Sequence, residues 1–179
     1  MKKICRAILF ILILIPFLAS CSHNAVIKGR QLSAKNFNKM FRSKGWIVAA
    51  SYSIYDNDSI GKQNHELGWV GRPHLQLMWK DGYLYNLSID TGKFKSIYQR
   101  GSYVYDEKDH LFLIQGMQLF GDSDLSEFTV LSMSNEEMRC RAPSFGVTKH
   151  SDPKATHVLL IFKAFPILDT IEGEEVQQY

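Results

Sequence analysis

The stretch that decides the fold is Leu75-Gln76-Leu77-Met78-Trp79-Lys80-Asp81-Gly82-Tyr83-Leu84-Tyr85. Residues on either side of Asp81-Gly82 alternate with a period of two, which is the period of a β-strand. Asp-Gly between two alternating runs is the strongest short-range signal for a two-residue hairpin. The predicted pair places these residues on the apolar faces of its strands: Leu75, Leu77 and Trp79, then Tyr83, Tyr85, Leu87 and Ile89.

Similar alternation runs on both sides of this hairpin. A strand from Trp46 to Tyr55 precedes it, followed by a long loop over residues 56–73. After the hairpin come short runs separated by turns, at residues 94–99, 102–105, 111–114, 127–133, 138–142 and 156–165. This spacing predicts an all-β fold, an antiparallel meander of about 8–10 strands closed into a barrel that leaves no exposed edges. The interior of such a barrel is filled by side chains or holds one small ligand.

One short helix is predicted before the first strand. Phe37, Met40 and Phe41 follow one another at i, i+3 and i+4, which places them on one helical face. Ser33 precedes this run and is a suitable N-cap. We therefore expect a helix over residues 33–42.

The N-terminus has the pattern of an export signal. Lys2, Lys3 and Arg6 precede an apolar run over residues 7–18, too short to span a membrane comfortably. Leu18-Ala19-Ser20-Cys21 closely resembles the lipobox of bacterial lipoproteins; the alternative is an ordinary signal peptide with a coincidental cysteine. The resemblance implies that residues 1–20 are removed and that Cys21 carries acyl chains such as palmitate, which hold the protein on a membrane. Ser22, directly after the cysteine, resembles a sorting signal for the outer membrane. It predicts a protein that faces the periplasm.

The remainder divides into three segments. Residues 21–32 are predicted to be a lipidated tether, residues 33–168 the barrel, and residues 169–179 an acidic flexible tail. Cys5 leaves with the signal and Cys21 is lipidated, so Cys140 has no partner for an internal disulfide. On a strand, Cys140 faces inward while its neighbours Arg139 and Arg141 face solvent.

Charge and motifs exclude several functions. The chain has 21 basic and 18 acidic residues, and removing Lys2, Lys3 and Arg6 leaves 18 of each, so nucleic-acid binding is not expected. No hydrolase motif is present, and His150, Asp152 and His157 match no ligand spacing for a metal. We therefore predict no enzyme, no metal and no cofactor.

The order of the motifs resembles that of the lipocalin-like lipoproteins of bacterial envelopes, especially those of Bacteroidetes. The resemblance covers residues 33–165 and rests on these segments: Gly45-Trp46, the hairpin Leu75–Leu84, Gly101–Tyr105, Leu111–Ile114 and Phe128–Ser132 before Met138. It implies an eight-to-ten-stranded barrel and, in most members, no established activity. One departure is that lipocalins open with Gly-x-Trp, whereas Gly45 and Trp46 are adjacent here.

Two functions follow as expectations. The first is an aromatic-lined pocket for an apolar or ring-containing small ligand, with the alternative that the same rings only fill the barrel. Its candidate ligand-binding residues are Trp46, Trp69, Trp79, Tyr83, Tyr85, Tyr103 and Tyr105. The second is a non-catalytic module that binds an envelope protein, with Trp69 as a contact instead of a lid. Asp58-Ser59-Ile60 and Asp169-Thr170-Ile171 resemble O-glycosylation sites of Bacteroidetes envelope proteins.

Overall fold

A computed structural model of the chain describes residues 27–63, 75–90, 95–117, 119, 125–144 and 152–175. Within these ranges no helix combines the length and the apolar character that a membrane crossing requires. The regular elements, in chain order, are β1 (Ile27–Lys28), a 3-10 turn (Gly29–Gln31), α1 (Ala34–Arg42), β2 (Gly45–Ile54), β3 (Ile60–Gln63), β4 (Gln76–Lys80), β5 (Tyr83–Asp90), β6 (Lys95–Asp106), β7 (Leu111–Gln115), β8 (Leu125–Met133), β9 (Glu137–Pro143), β10 (His157–Phe165) and β11 (Glu174–Glu175).

Eight of these strands close into a barrel. The order is β2-β4-β5-β6-β7-β8-β9-β10, every neighbouring pair is antiparallel, and β10 pairs back with β2. Three short strands pair at the margins: β1 with β8, β3 with β2 and β11 with β6. The predicted all-β antiparallel meander closed into a barrel is therefore confirmed, with eight strands in the closed ring.

The predicted helix is also confirmed. The hydroxyl of Ser33 accepts a hydrogen bond from the backbone N–H of Asn36 at 3.3 Å, which satisfies one of the free N–H groups at the start of α1. Phe37 and Phe41 are fully buried, while the lysines of the helix face solvent. The helix therefore packs its aromatic face onto one end of the barrel, which we call the helix end.

The central hairpin has the predicted geometry. Asp81 and Gly82 both have positive φ angles, 50° and 88°, which is the type I′ turn that matches the twist of paired strands. Lys80 pairs with Tyr83 across the turn, and the register continues to Gln76 opposite Leu87. The Asp-Gly dipeptide thus fixes both the turn and the register of β4 against β5.

Two sequence-based expectations about strands were wrong. The segments 94–99 and 102–105, predicted as two strands, form the single strand β6. Gly101 lies within β6, and a Cβ at this position would stand 2.2 Å from the backbone oxygen of Gln115. The glycine therefore permits the close contact between β6 and β7. The predicted loop 56–73 contains β3, which pairs with the end of β2.

The last part of the predicted tether belongs to the domain. β1 pairs with Ser132 and Met133 of β8, and Leu32 is buried in the core. Gly29 lies against β8 so closely that a Cβ would meet the carbonyl oxygen of Val130 at 1.9 Å. Residues 27–32 are therefore part of the folded structure, because Leu32 and Gly29 pack where a flexible tether would be solvated.

The predicted flexible tail also packs, as far as residue 175. The N–H of Leu168 donates to the sulfur of Met78 at 3.3 Å, and the ammonium of Lys80 donates to the carbonyls of Leu168 and Asp169. Glu174 and Glu175 then pair in parallel with Ile97 and Tyr98 of β6. The C-terminal segment 166–175 therefore crosses the outer surface of β4 and ends beside β6.

Candidate functional site

The aromatic residues at the helix end form one packed cluster. Phe37 stacks on Tyr105 with ring centroids 4.2 Å apart, and Phe41 meets Tyr103 edge-on at 4.9 Å. Phe112 contacts both phenylalanines of the helix, at 5.2 and 4.9 Å. All five rings are buried. The helix therefore fills this half of the barrel with side chains and contributes directly to its core.

Trp46 is part of the same cluster. Its ring is fully buried and lies nearly parallel to that of Phe41, with centroids 6.3 Å apart. The indole Nε1–H donates to the backbone oxygen of Phe41 at 3.0 Å, so the one polar atom of the side chain is satisfied. Trp46 therefore links the first barrel strand to the end of α1.

The hydroxyls of Tyr103 and Tyr105 are both in use. Tyr103 accepts from the Nε–H of Arg42 at 2.8 Å and donates to the Oδ1 of Asn38 at 2.7 Å. Tyr105 donates to the backbone oxygen of Leu32 at 3.3 Å. Burial raises the pKa of Tyr105 to about 12, and it also raises the pKa of Tyr103, where Arg42 opposes the effect. Both hydroxyls therefore stay protonated and hold the helix and its preceding turn on the barrel.

Trp79 lies at the edge of this cluster and is half-buried. Its ring meets Tyr103 edge-on at 5.1 Å, and the guanidinium of Arg42 lies 4.6 Å above the ring centroid. A cation over an indole face is a favourable arrangement, stabilising by about 0.5–1 kcal/mol at an exposed site. Arg42 thereby covers the ring at the helix end.

Tyr83 and Tyr85 lie on the outside of the barrel, which corrects the predicted face. Residues directly opposite each other share a face, and Trp79 stands opposite Leu84, which is fully buried. Tyr83 and Tyr85 alternate with Leu84 and therefore point outward, and Tyr83 is 46% exposed. Leu84 is the core residue at this point, and no interior role follows for the two tyrosines.

The outer tyrosines belong to a surface cluster with the C-terminal segment. The guanidinium of Arg100 lies 4.7 Å from the ring centroid of Tyr83, and its Nε is 3.2 Å from a carboxylate oxygen of Glu175. Tyr85 contacts Tyr98 with centroids 5.7 Å apart. Burial and nearby acidic groups raise the pKa of Tyr85, although Arg100 opposes this. The structure thus separates the six predicted ligand-binding residues that it describes into an inner group and an outer group.

Two predicted functional residues lie outside the described ranges. They are Cys21, the predicted lipidation site, and Trp69, the predicted lid or partner contact. Ser59 and Thr170, in the two segments that resemble glycosylation sites, are both exposed.

The other half of the interior has a different chemical character. We call it the far end; it holds the C-terminal halves of β2 and β9 and the start of β10. Ser51 and Ser53 pair with Leu160 and Val158, which face the core, so both serines also point inward, and both are buried. Ser126 on β8 is buried opposite Ile114, and Asn86 lies opposite Leu77 and Gln99. Small and polar side chains thus line the far end, whereas large rings fill the helix end.

Sequence periodicity missed this polar lining because of a β-bulge. The sequence placed Ser51 and Ser53 on the face opposite Trp46. In the structure the register against β10 shifts between Ile161 and Phe162, and Ala49 is left without a partner. A bulge inserts one extra residue into the strand, so the inward-facing positions change from even-numbered residues before it to odd-numbered residues after it. Trp46 and Ser51 therefore both point into the barrel.

Cys140 faces the core, as predicted. Its thiol is fully buried and its pKa is raised strongly by desolvation, while Arg139 and Arg141 point outward. It is a free cysteine. Its burial gives no support to a nucleophilic role, because the thiolate is the reactive form.

The histidine region considered for metal binding forms a different arrangement. An Nη of Arg141 lies 3.0 Å from Nδ1 of His157, and its other Nη lies 3.2 Å from a carboxylate oxygen of Asp58. Asp152 accepts from the hydroxyl of Tyr55 at 2.9 Å, and this bond lowers its pKa. Across the described ranges, no three His, Cys, Asp or Glu side chains are grouped as a metal would require. His150 is not among the described residues.

Comparison with known proteins gives no family assignment. No protein-family model matches the chain, and no curated protein sequence matches it. The resemblance to lipocalin-like envelope lipoproteins therefore stays a prediction from the order of its motifs, and the evidence on function is the geometry of the barrel itself.

Proposed function

We propose that this chain is a lipid-anchored envelope protein whose barrel binds a small apolar or ring-containing molecule and catalyses no reaction. The ligand lies in the far end of the interior. The single observation that carries this proposal is the difference between the two halves of the barrel. Large rings contact one another at the helix end, whereas serines and an asparagine line the far end.

The filled half supports the proposal because its buried rings form a surface on which a ligand can rest, which we call the aromatic base. Phe128 contacts Phe112 at 5.8 Å and Phe162 at 6.3 Å, and all three rings are fully buried. A ligand with a ring would rest against this aromatic base, where offset and edge-on contacts add about 0.5–1.5 kcal/mol beyond the area that they bury. Trp46, Tyr103 and Tyr105 act in this account as supports beneath the base.

The proposed anchor keeps the barrel close to the membrane. If Cys21 is lipidated, six peptide units separate it from Ile27, where the described structure begins. A chain of that length reaches at most about 20 Å. Replacing the cysteine, Cys21→Ser, should release the protein from membranes without changing its fold. The anchor would be refuted if the variant still fractionated with membranes and the wild-type protein carried no lipid mass.

Binding can be tested with the neutral fluorescent dye N-phenyl-1-naphthylamine on the Cys21→Ser chain. Ser51→Leu fills the far end and should weaken dye binding at least tenfold, about 1.4 kcal/mol. Ser102→Leu makes the same change at an exposed position of β6 and should leave binding unaltered. Circular dichroism and melting curves of both variants check the fold. Equal dye binding by the two variants, or none by the parent chain, would contradict the proposal.

One observation favours the alternative function, a module that binds an envelope protein. Tyr83, Ile167 and Leu168 are 46%, 37% and 43% exposed, and all three lie at the outer surface of β4, β5 and the C-terminal segment. Exposed aromatic and aliphatic side chains that lie together can form the centre of an interface. Leu168→Ser would weaken association with an envelope protein on this reading and leave dye binding unchanged.

A further inference from the structure

The charged residues are unevenly distributed along the chain. All 18 acidic residues lie beyond residue 55, so residues 22–55 contain basic residues and no Asp or Glu. The basic residues of this segment are Lys28, Arg30, Lys35, Lys39, Arg42 and Lys44. Positive charge is therefore concentrated in the strand, turn and helix that precede the barrel.

Three of these residues form a stripe along α1, which we call the basic face. Lys35, Lys39 and Arg42 are spaced at i, i+4 and i+7, so they lie on one side of the helix. All three are exposed, whereas Phe37 and Phe41 on the other side are fully buried in the barrel. The basic face therefore points outward at the helix end.

Within the described ranges, no acidic side chain forms an ion pair with the basic face. Basic residues elsewhere do form such pairs: Arg100 with Glu175, Arg139 and Lys163 with Glu137, and Arg141 with Asp58. The guanidinium of Arg42 instead contacts Tyr103 and Trp79, which are uncharged. A row of cations without counter-charges attracts a negatively charged surface.

The chain also enters the domain at the helix end. Ile27 pairs with Met133, and this end of β8 lies level with the end of β10. The last residue of β10, Phe165, pairs with Gly45 just after α1. If Cys21 is lipidated, six peptide units that reach at most about 20 Å join Ile27 to the membrane. The anchor therefore keeps the helix end close to the lipid.

We infer that the basic face of α1 docks on the anionic phospholipid headgroups of the membrane that holds the anchor, so that the far end of the barrel points away from the lipid. The inference rests on the proposed lipid anchor and adds an orientation to it. Each Lys or Arg close to an anionic bilayer strengthens association about fivefold.

Acidic residues at the rim of the helix end oppose this attraction. They lie at the turns between the strands: Asp81, Asp106, Glu107, Asp109 and Glu136. Glu107 accepts a hydrogen bond from the backbone N–H of Ala34, so this carboxylate lies beside the first turn of α1. Docking by the basic face alone is therefore weak, and the anchor makes it effective by raising the local concentration of lipid.

Vesicle sedimentation of the Cys21→Ser chain tests the contact without the anchor. At low salt the chain should bind phosphatidylcholine vesicles that contain about one quarter phosphatidylglycerol at least tenfold more tightly than vesicles of phosphatidylcholine alone. Sodium chloride at about 0.5 M should abolish this binding, because salt screens exposed charges.

A matched pair of variants assigns the binding to the helix. Lys35→Gln combined with Lys39→Gln lowers the net charge by two on the basic face and should weaken binding to the anionic vesicles at least tenfold. Lys154→Glu lowers the net charge by the same amount at an exposed position before β10, at the far end. It should change binding by no more than about twofold, because charges farther than about 10 Å from the lipid are screened. Circular dichroism and melting curves check the fold of both.

A fluorescent label reports the orientation of the barrel. In the Cys21→Ser chain, where Cys140 is buried, the label is attached to Asn36→Cys on α1 or to Lys154→Cys at the far end. Lipids with a quencher on the headgroup should quench the label at position 36 and leave the label at position 154 bright. Equal quenching at both positions overturns the orientation.

The remaining outcomes separate the docking surface from the anchor. Equal binding to neutral and anionic vesicles, or binding that Lys35→Gln with Lys39→Gln leaves unchanged, overturns the basic face as the docking surface. If the chain binds soluble polyglutamate and no vesicles, the face fits an acidic protein and the membrane contact is wrong. Binding to neither overturns docking altogether. The anchor is tested separately, by membrane fractionation of the chain with Cys21 intact, and its failure leaves the vesicle results unaffected.

Discussion

Phe37 of the helix and Tyr105 of the barrel stack with ring centroids 4.2 Å apart and an angle of 8° between their planes. Residues 68 positions apart in the chain thus form one of the closest ring contacts of the core. The contact makes α1 part of the barrel's interior, which is why the helix end is filled and the far end has to accommodate any ligand.

The first prediction concerns this contact. Phe37→Ala should lower the free energy of unfolding by about 3–5 kcal/mol, because it removes a fully buried ring that touches four others. Lys39→Ala changes an exposed residue of the same helix and should stay within about 0.5 kcal/mol of the parent chain. Urea unfolding measures both. A tolerated Phe37→Ala would show that the helix is peripheral to the core.

The second prediction concerns the close approach at Gly101. Gly101→Ala places a methyl 2.2 Å from the backbone oxygen of Gln115 and 2.9 Å from Met117, so β6 and β7 must separate. Overpacking of this kind costs about 1–3 kcal/mol. Ser102→Ala, at the next position but exposed, is the control, and thermal melting compares them. Equal melting temperatures would mean that the strands can move apart freely.

A third prediction follows from the burial of Cys140. With its pKa raised and its sulfur inaccessible, the thiol should react with Ellman's reagent only as fast as the protein opens. Adding urea should accelerate the reaction in parallel with unfolding. Rapid labelling of the folded Cys21→Ser chain, in which Cys140 is the cysteine of the domain, would place the sulfur at the surface.

The fourth prediction is a pH dependence at His157. Desolvation and then Arg141 hold its pKa in the folded protein below the ordinary 6.5. The unfolded chain therefore takes up a proton more readily, and the histidine's contribution to stability is full above about pH 6.5. It is lost as the pH falls through the unfolded and then the folded pKa.

His157→Gln isolates this contribution. The difference in melting temperature between the parent chain and the variant should shrink as the pH is lowered from about 7.5 to about 5. Asp58, Asp56 and Thr156 also face this region, so the comparison with the variant is needed to remove their effects. A difference that stays constant over this range would mean that His157 has an ordinary pKa.

Local signals predicted the fold well because the barrel is a meander. Within the barrel, each strand pairs with the next barrel strand in the chain, apart from the insertion of β3 and the closing pair of β2 with β10, so turn chemistry such as Asp81-Gly82 gives the barrel topology. The face of Tyr83 was also open to prediction. A two-residue turn pairs Lys80 with Tyr83, and Trp79 must then share its face with Leu84. Apolar character alone suggested the opposite.

The polar lining was not open to prediction in the same way. Whether Ser51 faces in or out depends on the bulge at Ala49, and that bulge is set by pairing with β10, more than a hundred residues away in the chain. The packing of residues 166–175 against β4 and β6 likewise depends on Met78 and Lys80, which no local pattern connects to Leu168. Both features depend on contacts between residues that are far apart in the chain, and the local periodicity of the sequence does not predict such contacts.

The most direct test of binding in the far end is chemical-shift mapping of the isotope-labelled Cys21→Ser chain with N-phenyl-1-naphthylamine. The account predicts saturable shifts centred on the amides of Ser51, Asn86 and Ser126, and little change at Phe37 and Phe41 under the helix. Shifts centred on Tyr83 and Leu168 at the outer surface, or no saturable shifts at all, would contradict it.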